Sequence, residues 1–256
     1  MSFAHWAVTS LIRRVARILC RVDAAQLARV PAQGPLIMIT NHVNFLDAPV
    51  LYAHLRPRPM AALVKVETWE NRALGALADL WGGIPVERGE VDLSALRASL
   101  QALQEGKILG VAPEGTRSGD GRLQRGHPGT VLLALRSGAP LLPVVTYGGE
   151  QFRSNVRRLR RTDFHVAVGR PFTLASNGNK VTREVRQRMA DEMMYQMAAL
   201  LPPAYRGVYS DLDGAGTTYL RFPDDETPTG RRGDGETRGG AAAMTMGEVL
   251  GPDGGE

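Results

Sequence analysis

Five short apolar runs, each bounded by turn residues and separated by stretches of helical periodicity, leave few folds open to this chain. After Pro31, Gly34 and Pro35, the run Leu36 to Ile39 with Thr40 reads as a buried strand. Further strands are predicted over Ala61 to Val66, Ile108 to Ala112, Leu141 to Thr146 and Phe164 to Val168, where Phe164, Val166 and Val168 alternate. A helix is predicted from Asp92 to about Glu105, with Leu93, Leu96, Leu100 and Leu103 on one face and Gly106 as its stop. Another runs from about Thr182 to Leu201, where Val185, Met189, Met193 and Met197 recur every four residues and suit core packing. Strands that alternate with helices predict an α/β fold: a single domain with a largely parallel or mixed central sheet flanked by helices.

Residues 1–29 lie ahead of this pattern. Val8, Leu11, Ile12, Val15, Ile18, Leu19 and Val22 share one side of a helical wheel, and Arg13, Arg14, Arg17 and Arg21 fall opposite. With Phe3 and Trp6 at its start, this N-terminal amphipathic helix suits a membrane interface as well as it suits packing on its own domain. Residues 30–223 form the expected domain. Residues 224–256 hold eight acidic, three basic and nine glycine residues with few branched or aromatic side chains, the composition of a disordered acidic tail. The whole chain carries a net charge of +5, and residues 1–223 hold 28 basic against 18 acidic residues, so an anionic partner is expected. The single cysteine, Cys20, excludes a disulfide framework within the chain and a multi-cysteine zinc site, which fits a cytoplasmic setting. No run of about 20 apolar residues is long enough to cross a bilayer, and the N-terminus has no secretory-signal pattern.

Two loops carry the candidate chemistry. Asn41-His42-Val43-Asn44-Phe45-Leu46-Asp47 follows the first predicted strand. If a helix begins beyond Asn44, the Asp47 carboxylate can fold back on the His42 imidazole, fix its tautomer and leave a general base. A surface histidine near a helix-starting aspartate fits the same spacing. Glu114-Gly115-Thr116-Arg117-Ser118 follows the strand that ends near Ala112, at a strand end where ligands of open α/β sheets gather. Arg88, in Gly83-Ile84-Pro85-Val86-Glu87-Arg88-Gly89, offers a second guanidinium fork for a phosphate, or a solvated surface charge.

Together these segments resemble the glycerolipid acyltransferase family, in its 1-acyl-sn-glycerol-3-phosphate acyltransferase branch, over about residues 30–210. Asn41, His42 and Asp47 match its first block, Gly83 through Arg88 its second, Glu114 through Ser118 its third, and Leu141-Leu142-Pro143-Val144-Val145 its fourth. Lys65, Gly75, Arg125-Gly126 and Leu201-Pro202-Pro203-Ala204-Tyr205-Arg206-Gly207 resemble further stretches common in the family, whereas Asn44 and His127 depart from it. The resemblance implies transfer of a fatty acyl group from acyl-CoA or acyl carrier protein to the free hydroxyl of a lysophospholipid acceptor, 1-acylglycerol 3-phosphate, giving phosphatidic acid, with glycerol 3-phosphate, another lysophospholipid or an alcohol as the alternative acceptor. His42 and Asp47 would be catalytic. Asn41, Lys65, Arg88, Glu114, Gly115, Thr116 and Arg117 would bind substrate, with Arg88 and Arg117 on the phosphate and Glu114 and Gly115 shaping the loop. No cofactor is expected beyond the thioester co-substrate. Membrane docking on the cytoplasmic face would then deliver lipid substrates through the N-terminal helix.

Other readings have weaker support. The cluster Arg157, Arg158, Arg160 and Arg161 has no aromatic residues interleaved and reads as a solvated face, so no nucleic-acid partner is expected. No Gly-x-Ser-x-Gly elbow marks a serine hydrolase. His5, His54, His127 and His165 lack metal-ligand spacing, so no metal is expected. A non-catalytic membrane protein on the same scaffold would have no use for an intact His42 and Asp47.

Overall fold

A computed structural model describes residues 3–55, 58–87, 92–178 and 180–223. Arg88 and the predicted tail, residues 224–256, lie outside the described residues. The chain divides into two units, Met1–Asp225 and Glu226–Glu256, and every described residue belongs to the first. Its main sheet has seven strands: β1 (Cys20–Asp23), β2 (Leu36–Ile39), β3 (Met60–Lys65), β4 (Gly83–Val86), β5 (Ile108–Val111), β6 (Leu141–Tyr147) and β7 (Thr162–Val168). Their order is β1-β7-β6-β2-β5-β3-β4. β6, β2, β5, β3 and β4 run parallel, while β7 is antiparallel to β6 and carries β1 parallel to itself. All five predicted strands are present within two residues of their predicted bounds. The sheet is mixed because its last two strands reverse.

The central strands lack a polar face because helices cover both sides. On β2, Ile37 and Ile39 face a core shared with Met193, Met194 and Met197, whereas Leu36 and Met38 face a core shared with Ala16, Val50 and Leu51. The first core is closed by helices α4 (Leu93–Gln104), α5 (Gly129–Ser137) and α7 (Arg183–Ala198). The second is closed by α1 (Phe3–Leu19), α2 (Asp47–His54) and α3 (Arg72–Leu80). The methionine stripe is core: Met189, Met193 and Met197 are fully buried. Asp92 caps α4 by accepting from the Ser94 and Ala95 N–H groups, Thr182 caps α7, and Gly106 has φ +72° at the predicted stop.

The helix α1 departs from its wheel. Its buried residues are His5, Thr9 and Ala16, with polar groups paired: His5 Nδ1 donates to the Leu80 carbonyl at 3.0 Å, and Trp81 Nε1 donates to Thr9 Oγ1 at 3.2 Å. Three of the seven stripe residues, Leu11, Val15 and Ile18, are left exposed while Ile12 and Leu19 pack inward. The helix also ends at Leu19. Cys20–Asp23 forms edge strand β1 instead, so the wheel position of Val22 is not helical.

Candidate active site

The carboxyl ends of three adjacent parallel strands, β6, β2 and β5, build the site. The chain leaves β2 at Thr40, and Asn41 fixes the course of the loop beyond it. Its side chain is buried, its Nδ2 donates to the Thr146 carbonyl and its Oδ1 accepts from the Thr146 N–H, both at 2.8 Å. This two-way amide pair ties the start of the loop to the end of β6. Asp47 is the first residue of α2, so its carboxylate can accept the free N–H groups that precede a helix. One oxygen, Oδ2, accepts from the N–H groups of Val43 at 2.8 Å and Asn44 at 2.7 Å, and from His42 Nδ1 at 3.0 Å. The other accepts from Thr146 Oγ1 at 3.2 Å. Four donors thus satisfy both oxygens of a carboxylate with 2% of its side chain exposed.

The partners of His42 assign its protons. An ionised carboxylate only accepts, so Nδ1 carries the hydrogen; Arg117 Nε only donates, at 3.2 Å, so Nε2 presents a lone pair. The His42 side chain is 21% exposed, so a ligand that displaces the Arg117 guanidinium can reach Nε2. One ring nitrogen is thus anchored on Asp47 and the other is held by Arg117.

The second loop is laid against the first by main-chain bonds. The Ser118 N–H donates to the His42 carbonyl at 2.8 Å, and the Gly119 N–H donates to the Val43 carbonyl at 3.1 Å. Beneath them Glu114 is buried, accepting from the His42 N–H at 3.3 Å and the Gln124 N–H at 3.0 Å. Its carboxyl is raised to about 7: burial raises it most, the two N–H bonds oppose this, and the charges of Asp47 and Asp120 add to the rise. Gly115 turns the chain at φ +65°, and a Cβ there would approach His127 Cδ2 to 3.2 Å.

The structure therefore brings His42, Asp47, Asn41, Glu114, Gly115, Thr116 and Arg117 into one site and divides them by depth. Thr116 and Arg117 are exposed at the mouth, where they can meet a ligand. Asn41 and Glu114 lie beneath this mouth. Each is 2% exposed with its polar atoms bonded to main chain, Asn41 to the end of β6 and Glu114 to both loops, so each holds the loops in place. Lys65 ends β3 on the same edge, two strands from β2, or about 10 Å at the usual strand spacing. Arg88 lies outside the described residues. Thr146 was not expected; its signal is a hydroxyl at the end of an otherwise apolar strand.

A family model described as acyltransferase matches residues 21–147, a stretch that contains both loops. The chain belongs to this family of acyltransferases. Among named relatives, a 1-acyl-sn-glycerol-3-phosphate acyltransferase of Bacillus subtilis is 24% identical over 172 residues, covering 67% of this chain and 83% of that protein. A lyso-ornithine lipid O-acyltransferase of Pseudomonas aeruginosa is 31% identical over 144 residues, covering 54% of this chain and 55% of that one. The crystal structure of a 1-acyl-sn-glycerophosphate (LPA) acyltransferase, PlsC, from Thermotoga maritima has the same fold, with a TM-score of 0.56 at 20% identity over 77% of this chain and 80% of that one.

Proposed function

We propose that the protein transfers a fatty acyl group from acyl-CoA or an acyl carrier protein thioester to the free hydroxyl of 1-acylglycerol 3-phosphate, giving phosphatidic acid. One observation carries this reading: His42 is held by Asp47 through Nδ1 at 3.0 Å, with its Nε2 lone pair directed outward beside a guanidinium. That is a general base with no protein nucleophile, as attack by a substrate hydroxyl requires. Nε2 takes the hydroxyl proton as the oxygen attacks the thioester carbonyl. Collapse of the tetrahedral intermediate breaks the C–S bond, and the imidazolium returns its proton to the departing thiolate. Asp47 stabilises the imidazolium between these two transfers.

Arg117 has two tasks in sequence. It donates to Nε2 in the free protein, so the lone pair becomes available only when the guanidinium turns away. A phosphate on the acceptor is a stronger partner for it than a neutral imidazole, and draws it off as the hydroxyl arrives. Arg88 and Lys65 are the further phosphate ligands in this proposal. The relatives' names support the phosphate-bearing acceptor, and the 31% identity to a lyso-ornithine lipid acyltransferase supports a second reading with a different lysolipid.

Among the described residues no helix is long and apolar enough to cross a membrane. The exposed Phe3, Trp6, Leu11 and Ile18 of α1 support peripheral attachment, on the cytoplasmic face where thioester donors are found.

The test is transfer from an acyl thioester to 1-acylglycerol 3-phosphate, glycerol 3-phosphate and lyso-ornithine lipid, with wild type and Arg117→Ala. The phosphate reading expects phosphatidic acid as the main product and a KM that rises about tenfold or more for the phosphate acceptors alone. Preference for lyso-ornithine lipid, with no effect of Arg117→Ala on acceptor KM, would establish the second reading.

A further inference from the structure

The segment Arg157-Arg158-Leu159-Arg160-Arg161 has no role in the mechanism. It closes helix α6 (Phe152–Arg157) and leads into β7. Its shape is set by main-chain bonds: the Leu159 N–H donates to the Val156 carbonyl at 3.0 Å, and the Arg160 N–H donates to the Asn155 carbonyl at 2.8 Å. Leu159 takes the left-handed conformation at φ 53°, a helix-ending position that glycine fills with least strain. It is also 97% exposed, the most exposed of the large hydrophobic residues described, and an arginine pair stands on each side. A rigid turn that spends backbone strain to hold an apolar side chain in solvent between four cations is matched to an anionic surface with an apolar interior.

Its position is set by strand register. β6 reaches the catalytic edge at Tyr147, which pairs with His165 of the antiparallel β7, so β7 begins at that edge. Cys20 pairs with Thr162, which brings the end of α1 to the same place. Arg161 joins the two, its Nη2 donating to the carbonyls of Arg17 and Cys20, each at 2.6 Å. The exposed Leu11 and Ile18 of α1 and the exposed Leu159 are thus carried by one clamped unit. At its other end α6 touches the catalytic loop, where Phe152 meets Phe45 edge-on at 5.7 Å between ring centres and the Gly149 carbonyl accepts from Asn44 Nδ2 at 2.7 Å.

We propose that the turn at residues 157–161 is a second membrane anchor, in which Leu159 inserts among the acyl chains of an anionic bilayer while Arg157, Arg158 and Arg160 meet lipid phosphates. With α1 it seats the catalytic edge on the surface that holds the lipid acceptor. This rests on the lipid-acyltransferase reading, and vesicle binding tests it without turnover.

Flotation of the full chain with phosphatidylcholine vesicles, with and without phosphatidylglycerol, compares wild type, Leu159→Gly and Arg157→Gln/Arg158→Gln/Arg160→Gln. Glycine suits the backbone, so Leu159→Gly keeps its thermal midpoint while losing the inserted side chain. Expected are an affinity for anionic vesicles about tenfold weaker in Leu159→Gly and about fivefold weaker per arginine removed, with a smaller salt dependence. Unchanged binding by Leu159→Gly, or wild-type binding that is the same with and without phosphatidylglycerol, would overturn the proposal. So would intact vesicle binding with lost binding to an acidic carrier protein. None of these results touches the acyl-transfer reading, which fails only if turnover fails.

Discussion

Asp47→Asn separates the two tasks of that carboxylate. The asparagine Oδ1 can still accept from Val43, Asn44 and His42, and its amide can donate to Thr146, so the loop keeps its shape and the imidazolium loses its countercharge. Turnover is expected to fall by about two orders of magnitude or more with little change in thermal midpoint, read by steady-state kinetics beside calorimetry. Glu114 gives a prediction with a sign. Its carboxyl sits at about 7 when folded against an ordinary 4.5, so between those values the native state holds a proton that the unfolded chain has released. Stability therefore falls as pH rises through that window, by up to about 3 kcal/mol at about 1.4 kcal/mol per unit. Urea unfolding at about pH 5 and about pH 8 should show this component in wild type and not in Glu114→Gln; equal pH dependence in both would contradict the burial argument. At this scale the sequence marks the residues of the candidate site, because they lie in two short blocks. It does not mark Thr146, because a hydroxyl at the end of an apolar strand does not tell that it reaches Asp47 across 99 positions.

Elements were legible where a pattern extends over several turns or where a run is apolar. The helices α4 and α7 and five strands meet one of these conditions. β1 is no shorter than β2 or β5, but Cys20-Arg21-Val22-Asp23 alternates with charge and is strand only because β7 offers a partner. The helix α1 shows a different limit, since a wheel gives one apolar direction and the fold uses two. Its inward side is polar but paired, through His5 and Thr9, and part of its apolar side is left outside. Leu11→Ser/Val15→Ser/Ile18→Ser is accordingly expected to keep the fold and to weaken binding to anionic vesicles by about a hundredfold, measured by flotation. The closing segment near Tyr205 clamps the loop after Glu114, with the Leu123 N–H donating to the Tyr205 carbonyl at 2.9 Å. A Cβ on Gly207, at φ +54°, would lie 2.0 Å from the Leu123 carbonyl oxygen. Gly207→Ala should cost roughly 3 kcal/mol in urea unfolding, and a cost under about 1 would show that this contact yields.

For the whole molecule, topology does what no single block can. The two loops lie 72 residues apart between His42 and Glu114, yet β2 and β5 are neighbours, paired from Leu36 with Ile108 to Ile39 with Val111, so their carboxyl ends bring both loops together. The block around Pro143 contributes by delivering Thr146 from the other side of β2. The parallel core was readable from alternation, whereas the reversal at β7 and β1 was not, because strand direction at a sheet edge depends on connections and not on composition. That reversal brings α1 and the arginine turn to the edge that holds the two loops.

The mechanism stands on His42 taking the acceptor's proton. Single-turnover acyl transfer from a thioester to 1-acylglycerol 3-phosphate tests this step, following thiol release and phosphatidic acid together in wild type and in His42→Ala of matched thermal midpoint. Coupled formation of both products is expected in wild type, with a rate lower by about two to four orders of magnitude in the variant. A folded His42→Ala that transfers the acyl group within about tenfold of the wild-type rate would contradict the general-base role.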